Sequence, residues 1–319
     1  MTGPTPTDAR SLVDRARQGE PRAVARLISW VEDGAPGLAE VMSELSGVDG
    51  TAYVIGVTGS PGVGKSTATS ALVAAYRARG DRVGVIAVDP TSPFSGGALL
   101  GDRIRMQQHA TDPGVFIRSM ASRGHLGGIA AATPQAMRVL EAAGFDVVIV
   151  ETVGVGQSEV EVAGAADSTV VLLAPGMGDG IQAAKAGILE VADILCVNKA
   201  DRDGADSTVR EIRHMVTLGA GAPADGWQVP VVTSVASRGE VDDLMAALDA
   251  RRTWLAEGDH LRERRRQRAA AEILALAAGR VRQRLAERMP PSLADDVASG
   301  RIDPYSAAEA LLADDRMSP

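Results

Sequence analysis

Hydrophobic positions follow three successive patterns along this chain. Between residues 8 and 47 they recur at helical spacing: Leu12, Val13 and Ala16, then Val24, Leu27, Ile28 and Val31, then Leu38, Val41, Met42 and Leu45. Gly19-Glu20-Pro21 and Gly34-Ala35-Pro36-Gly37 break this stretch into separate helices. From about 51 to 258 short uninterrupted apolar runs alternate with helical stretches. The runs predict strands over 53–57, 83–88, 115–117, 145–150, 169–173, 194–197 and 229–233. They are apolar on consecutive residues, as expected of strands covered by helices on both faces. That is the pattern of an α/β fold built on a mostly parallel sheet. Helices are expected to begin near Lys65, Thr133-Pro134, Ile181, Asp206 and Glu240. Beyond about 259 the pattern is helical again, with a long Arg-rich helix to about Met289 and a break at Pro290-Pro291. Two shorter helices follow, one opened by Asp303-Pro304 with proline in its first turn. The chain therefore reads as an N-terminal helical extension (1–50), an α/β domain (51–258) and a C-terminal helical arm (259–319).

Composition narrows the classes of function. The chain is 45% hydrophobic and carries a formal charge of −8, which argues against nucleic-acid binding and against an anionic membrane surface. The one basic run is Arg262, Arg264, Arg265, Arg266 and Arg268; it reads as a solvated helix face, with a partner contact as the alternative. Cys196 is the single cysteine, so an intramolecular disulfide and a cysteine metal cluster are both excluded. It falls within an apolar run and is expected to be a buried, inert thiol. The first ten residues lack the apolar core of a signal peptide, and no segment approaches the roughly 18 apolar residues of a membrane span. A cytoplasmic protein is expected.

The strongest chemical signal is Gly59-Ser60-Pro61-Gly62-Val63-Gly64-Lys65-Ser66, a complete phosphate-binding loop that follows a predicted strand and opens a helix. Its glycines let backbone N–H groups turn toward a β-phosphate, and the helix N-terminus adds positive potential. Lys65 would bridge the β- and γ-phosphates, Ser66 would offer its hydroxyl to Mg²⁺, and Thr67 would reach the α-phosphate. Asn198-Lys199-Ala200-Asp201 directly follows another strand. The Asp201 carboxylate can accept hydrogen bonds from the guanine N1–H and 2-amino group, a donor pair that adenine lacks. A site built on such an edge rejects the wrong base by ~10⁴ or more. Lys199 would lie along the purine face, and Asn198 would tie neighbouring loops together. The loop Ser234-Val235-Ala236 would offer its backbone to the guanine carbonyl. GTP is the nucleotide expected.

Acidic residues at strand ends supply candidates for the metal edge. Glu151 ends a strand and opens Glu151-Thr152-Val153-Gly154, Asp89 ends a second strand, and Asp102 lies in a following loop. All three could meet Mg²⁺ or its waters, because acids at the C-terminal ends of parallel strands face the ligand crevice. For Asp102 a helix cap is the competing reading, since 103–109 reads as helical. Hydrolysis machinery of the kind that places glutamine directly after the switch glycine is missing: Gly154 is followed by Val155, and Gln157 comes later. Slow intrinsic turnover, accelerated by a partner or a conformational change, is expected.

Lysine usage adds one residue to the list. Against thirty arginines the chain has three lysines, Lys65, Lys185 and Lys199. Two of them sit in the motifs above, where an ammonium on a flexible stem is not replaceable by guanidinium. Lys185 ends the Gly/Pro-containing segment from Pro175, in which Asp179, Gln182 and Lys185 would share one face of a helix starting near Gly180. Composition alone makes this a surface loop; the scarcity of lysine points instead to a functional Lys185.

These residues, together with Val88-Asp89-Pro90-Thr91-Ser92-Pro93 and the run Glu151-Thr152-Val153-Gly154-Val155-Gly156-Gln157-Ser158-Glu159, occur in an order that closely resembles the MeaB/ArgK family of P-loop GTPases. The resemblance covers essentially the whole chain. It implies an Mg²⁺-dependent GTPase that cycles between GTP and GDP and acts as a chaperone of an adenosylcobalamin-dependent methylmalonyl-CoA mutase, gating cofactor loading and protecting the mutase. It makes Lys65, Asp89, Glu151, Asp179, Gln182 and Lys185 the catalytic set. Segments 90–106, 151–160 and 175–187 become switches, and 259–319 a homodimerisation arm. An ATP-dependent kinase linked to lysine/arginine/ornithine transport is the alternative, and an interaction protein with a structural nucleotide is a third class.

Overall fold

The computed structural model describes residues 6–46, 52–89, 107–121, 132–152, 164–176, 191–218 and 226–315. By internal contacts the chain falls into two units, Met1–Arg265 and Arg266–Pro319.

The first unit opens with α1 (Pro6–Arg17), α2 (Pro21–Asp33) and α3 (Leu38–Leu45). Proline in its first turn starts α2, and Gly34 in the left-handed region (φ 58°) ends it. The helical stripe expected from the sequence is the buried one: Leu12, Val13, Ala16, Val24, Leu27, Ile28, Val31, Val41 and Leu45 all enter the core.

Seven parallel strands follow: β1 (Tyr53–Thr58), β2 (Val83–Asp89), β3 (Val115–Ala121), β4 (Val147–Thr152), β5 (Ser168–Leu173), β6 (Ile194–Asn198) and β7 (Val231–Ser234). Their order across the sheet is β3-β2-β4-β1-β5-β6-β7. The interleaved helices among the described residues are α4 (Lys65–Ala78), α5 (Thr133–Ala142), α6 (Ala205–Thr217) and α7 (Asp242–Ala256). Alternate strand residues serve opposite faces. Val54, Val148 and Val150 pack with α1, α2, α3 and α5, while Ile55, Val147, Ile149 and Leu172 pack with α4 and α7. Val171, Leu173, Leu195 and Val197 meet Val209 and Ile212 of α6. Arg118 of β3 pairs with Glu32 and donates to the Ser29 hydroxyl at 3.0 Å, fastening α2 to the sheet. The strand order places β1 where successive connections run to opposite sides, and its carboxyl end therefore opens on a crevice.

The strand expected at 115–117 runs on to Ala121, and the helix expected near Glu240 starts at Asp242. Three further boundaries differ from the sequence reading for local reasons. The strand expected at 145–150 begins at Val147, because Gly144 is left-handed (φ 78°) and Phe145 turns to pack on Phe116 with ring centroids 6.2 Å apart. At its other end β4 runs on to Thr152, one residue past Glu151. The strand expected at 229–233 begins at Val231, since Pro230 has no N–H for the ladder. Of the helix expected over 103–109, the described part is a single 3-10 turn, Gln107–His109. The helix start expected at Ile181 lies outside the described residues.

The basic run at 262–268 is neither a plain solvated face nor, for two of its members, a surface awaiting a partner. Arg264 Nη2 meets Asp193 Oδ2 at 2.7 Å, and Arg265 Nη2 meets Asp167 Oδ2 at 2.9 Å. Both aspartates precede strands and also accept backbone N–H groups: Asp167 from Val54 at 3.0 Å, Asp193 from Thr169 at 2.7 Å. Arg251, fully buried between Trp227 and Trp254, reaches Asp193 Oδ1 at 2.7 Å. The amino-terminal edge of the sheet is thus stitched by charge.

The second unit is helical. It takes in the greater part of α8 (His260–Arg288), with α9 (Pro291–Ala298) and α10 (Pro304–Asp315). Asp303 caps α10, its Oδ1 accepting the N–H groups of Tyr305 (2.9 Å) and Ser306 (3.0 Å). Ile273, Leu274 and Val281 of α8 are exposed. Among the described residues no helix is long and apolar enough to cross a membrane.

Candidate active site

The crevice at the end of β1 is shaped by glycines that no other residue could replace without displacement. A Cβ on Gly59 (φ 140°) would lie 2.3 Å from the Leu172 carbonyl oxygen of β5. A Cβ on Gly64 (φ 96°) would lie 2.6 Å from Asn198 Nδ2. Between them the chain turns tightly and enters α4 at Lys65 with no side-chain cap on its first N–H groups. Uncapped N–H groups at a helix start form an anion site. Lys65 is nearly buried and folds back over the loop, its Nζ donating to the carbonyl oxygens of Gly59 (2.7 Å) and Ser60 (3.2 Å). Ser60, Pro61, Gly62 and Val63 complete the loop, and Thr67 presents an exposed side chain one position past Ser66.

Beside the loop, the Ser66 hydroxyl donates to Glu151 Oε1 at 2.7 Å, with both side chains buried. The residue after Glu151 is held too: Thr152 Oγ1 donates to Thr58 Oγ1 at 3.0 Å, joining β4 to β1. Two oxygen donors of this kind suit Mg²⁺, which takes few protein ligands and completes its shell with phosphate and water. Among the described residues no group of three or more His, Cys, Asp and Glu side chains gathers into a metal site.

The base-side motif is assembled from the ends of β6 and β7. Asn198 Nδ2 donates to the Val63 carbonyl oxygen at 2.9 Å, while its Oδ1 accepts from Ser234 Oγ (3.1 Å) and from the Ala236 N–H (3.2 Å). Asn198 thus ties loops together as its place in the motif suggested. Lys199 takes the left-handed conformation (φ 59°), uncommon outside glycine, and its Nζ donates to the Gly62 carbonyl oxygen at 2.6 Å. Its stem therefore spans the gap between the phosphate loop and the base loop. The Ala200 N–H reaches the Ser234 carbonyl oxygen at 3.1 Å, and Val235 forms a bridge with Glu240. Asp201 pairs with Arg238, Oδ2 to Nη2 at 3.2 Å. Under this platform Cys196 Sγ lies 3.2 Å from Ser234 Oγ, and burial pushes its thiol up to about 12, as expected for an inert cysteine.

Asp89 ends β2 in register with Ala121, and its side chain is outside what is described. Asp102, Asp179, Gln182 and Lys185, like the run after Thr152, lie outside the described residues. Sequence reasoning missed Arg238, and it missed the tie between α4 and the turn at 107–109. There, Ser70 Oγ contacts His109 Nε2 at 2.9 Å and accepts from Gln108 Nε2 at 2.6 Å, one helical turn beyond Ser66. Neither carries a local motif.

Known proteins share this arrangement. The family model described as methylmalonyl Co-A mutase-associated GTPase MeaB matches residues 24–290. The GTPase ArgK of Escherichia coli is 39% identical over 265 residues, covering 81% of this chain and 80% of its own. The mitochondrial methylmalonic aciduria type A homolog of Caenorhabditis elegans is 36% identical over 279 residues, covering 83% of this chain and 69% of its own. A crystal structure described as LAO/AO transport system kinase superposes with a TM-score of 0.71 at 29% identity, over 99% of this chain and 100% of that one. With the phosphate loop, Glu151 and the Asn198–Asp201 motif brought into one crevice of a parallel sheet, the chain belongs to the MeaB family of P-loop GTPases.

Proposed function

We propose that the chain is an Mg²⁺-dependent GTPase whose nucleotide state is coupled to an adenosylcobalamin-dependent methylmalonyl-CoA mutase, which it serves as a chaperone. The observation that carries the nucleotide part is Asn198, whose amide joins Val63 of the phosphate loop to Ala236 of the base loop. That link sets the phosphate and base ends of the crevice at a fixed separation. The mutase part is supported by the family's description and by the methylmalonic aciduria relative.

In this reading the backbone of residues 59–66 wraps the β-phosphate, and Lys65 exchanges its loop carbonyls for β- and γ-phosphate oxygens. Ser66 and Glu151 would hold Mg²⁺ or its waters, with Asp89 and Asp102 further candidates at the same edge. A metal held there would supply positive charge against the phosphate oxygens. Asp201 accepts the guanine N1–H and 2-amino group, Lys199 covers the base, and the Ser234–Ala236 backbone meets its carbonyl. Asp179, Gln182 and Lys185 are assigned to partner-dependent hydrolysis, and the helices from 259 onward to a homodimer contact.

Steady-state GTP hydrolysis with and without a purified methylmalonyl-CoA mutase tests the reading. Slow turnover alone and faster turnover with the mutase are expected, and Lys185→Ala should remove the stimulation while leaving nucleotide affinity near wild type. No stimulation by the mutase overturns the chaperone assignment. ATP binding as tight as GTP overturns the guanine assignment and returns the kinase alternative.

A further inference from the structure

Asp201 stands on a stiff backbone but has a side chain free to rotate unless something holds it. Lys199 turns the chain in the left-handed region, the Arg202 N–H closes that turn onto the Lys199 carbonyl oxygen at 3.0 Å, and Ala200 is bonded to Ser234. The carboxylate itself is about one-third exposed (32%). A guanine edge offers two parallel donors, so recognition requires both carboxylate oxygens to lie in the plane of the base. The nearby Ser234 hydroxyl is engaged with Asn198 and lies against Cys196. Among the described residues the cation that meets the carboxylate is Arg238, through Nη2 on Oδ2.

Arg238 is itself well fixed at its base. It ends the 3-10 turn Ala236–Arg238, its N–H donating to the Val235 carbonyl oxygen at 2.9 Å. The turn is closed by paired backbone bonds between Val235 and Glu240, at 2.9 and 3.3 Å, and anchored to Asn198 through the Ala236 N–H. The loop expected to meet the guanine carbonyl and the cation that meets Asp201 are therefore parts of one closed turn.

We propose that Arg238 is a positioning residue for guanine recognition: it holds the Asp201 carboxylate in the rotamer that presents both oxygens to the base. The proposal rests on the reading of Asp201 as the guanine acceptor. A carboxylate oxygen has two lone-pair directions, so Oδ2 can keep Arg238 and take a guanine donor together, while among the described residues no donor meets Oδ1. Arg238 meets Asp201 as an ion pair rather than as a two-pronged hydrogen-bonded grip, which separates this role from that of a competitor filling the base site. The pair is exposed in the free protein and weak there. A bound base would cover it, lower the local screening and strengthen it.

The test is a double-mutant cycle read by calorimetric titration of GDP. Arg238→Ala should weaken GDP binding about three- to fivefold, the range of a modest ion pair. On an Asp201→Ala background the same substitution should cost nothing further. An unchanged affinity in Arg238→Ala overturns the proposal, and a tighter one makes Arg238 a competitor. An equal loss on both backgrounds makes its role merely structural and also overturns it. Titration of the wild type with ADP separates the two levels: no preference for GDP removes the Asp201 reading itself, whereas a clear preference with a silent Arg238→Ala removes this proposal alone.

Discussion

The side-chain amide of Asn198 donates to the carbonyl oxygen of Val63 at 2.9 Å, so the strand end that carries the base motif and the loop that carries the phosphate motif form one hydrogen-bonded piece. Asn198 is buried, and its other end accepts from Ser234 and Ala236. Asn198→Ala leaves the Val63 carbonyl and the Ala236 N–H buried and unsatisfied, at about 1–3 kcal/mol each. A clear fall in Tm is expected, with GDP affinity lower by about tenfold or more. Thermal melts and GDP titrations of the variant check this; wild-type affinity would mean that the two loops keep their spacing without the link.

Two loop glycines should respond differently to the same substitution. Gly62 and Gly64 both have positive φ (83° and 96°), but a Cβ at Gly62 meets open space, whereas one at Gly64 lands 2.6 Å from the Asn198 amide. Gly62→Ala therefore carries only the left-handed backbone strain of about 1–2 kcal/mol. Gly64→Ala adds displacement of Asn198 and so weakens the joint between loops. The expected order in melting temperature of the nucleotide-free protein is wild type, then Gly62→Ala, then Gly64→Ala. A reversal would show that Asn198 yields without cost.

What was legible in the sequence was local. The phosphate loop, the Asn198–Asp201 motif and the helix starts at Pro21 and Pro304 declare themselves within a few residues, because each rests on backbone geometry that near neighbours dictate. Strand and helix identity follows from periodicity, whereas strand ends do not: two starts shift, after Gly144 and after Pro230, and β3 runs on to Ala121. What was not legible depends on contacts distant in sequence. Nothing near Arg264 reveals that Asp193 lies beside it 71 positions away, and nothing near Arg238 reveals Asp201. Reading the 262–268 run as a face was sound composition and wrong geometry for Arg264 and Arg265. The left-handed Lys199 has the same origin: its Nζ is held by Gly62 and the N–H of the next residue, Ala200, by Ser234, on two other loops.

The charged stitching under the sheet should make Asp193 a large contributor to stability. Asp193 and Arg251 are buried, and Arg264 supplies a second guanidinium from a partly exposed position. Asp193→Ala strands the Arg251 charge in the interior, which costs about 3–5 kcal/mol when one partner of a buried pair is removed. Arg264→Ala should cost less, because water can reach its side of the carboxylate. Urea denaturation gives both values. An Arg264→Ala loss equal to that of Asp193→Ala would mean that Arg264, rather than Arg251, neutralises the carboxylate.

Cys196 offers a built-in reporter on the base platform. It is fully buried below Ser234, and burial pushes its thiol up to about 12, so the closed protein offers almost no thiolate at pH 8, and the thiol becomes reactive when that burial is relieved. Reaction with a thiol reagent at that pH therefore requires an opening that uncovers Cys196, and opening of the β6–β7 end is the route expected. The native protein should label slowly, denaturation should make labelling immediate, and GDP should slow it further by binding the closed platform. Asn198→Ala, which releases Ser234 and Ala236, should accelerate labelling well beyond its effect on global unfolding. Equal acceleration by Asp193→Ala, once scaled for stability, would show that Cys196 is reached only through global unfolding and that Asn198 does not hold the platform separately.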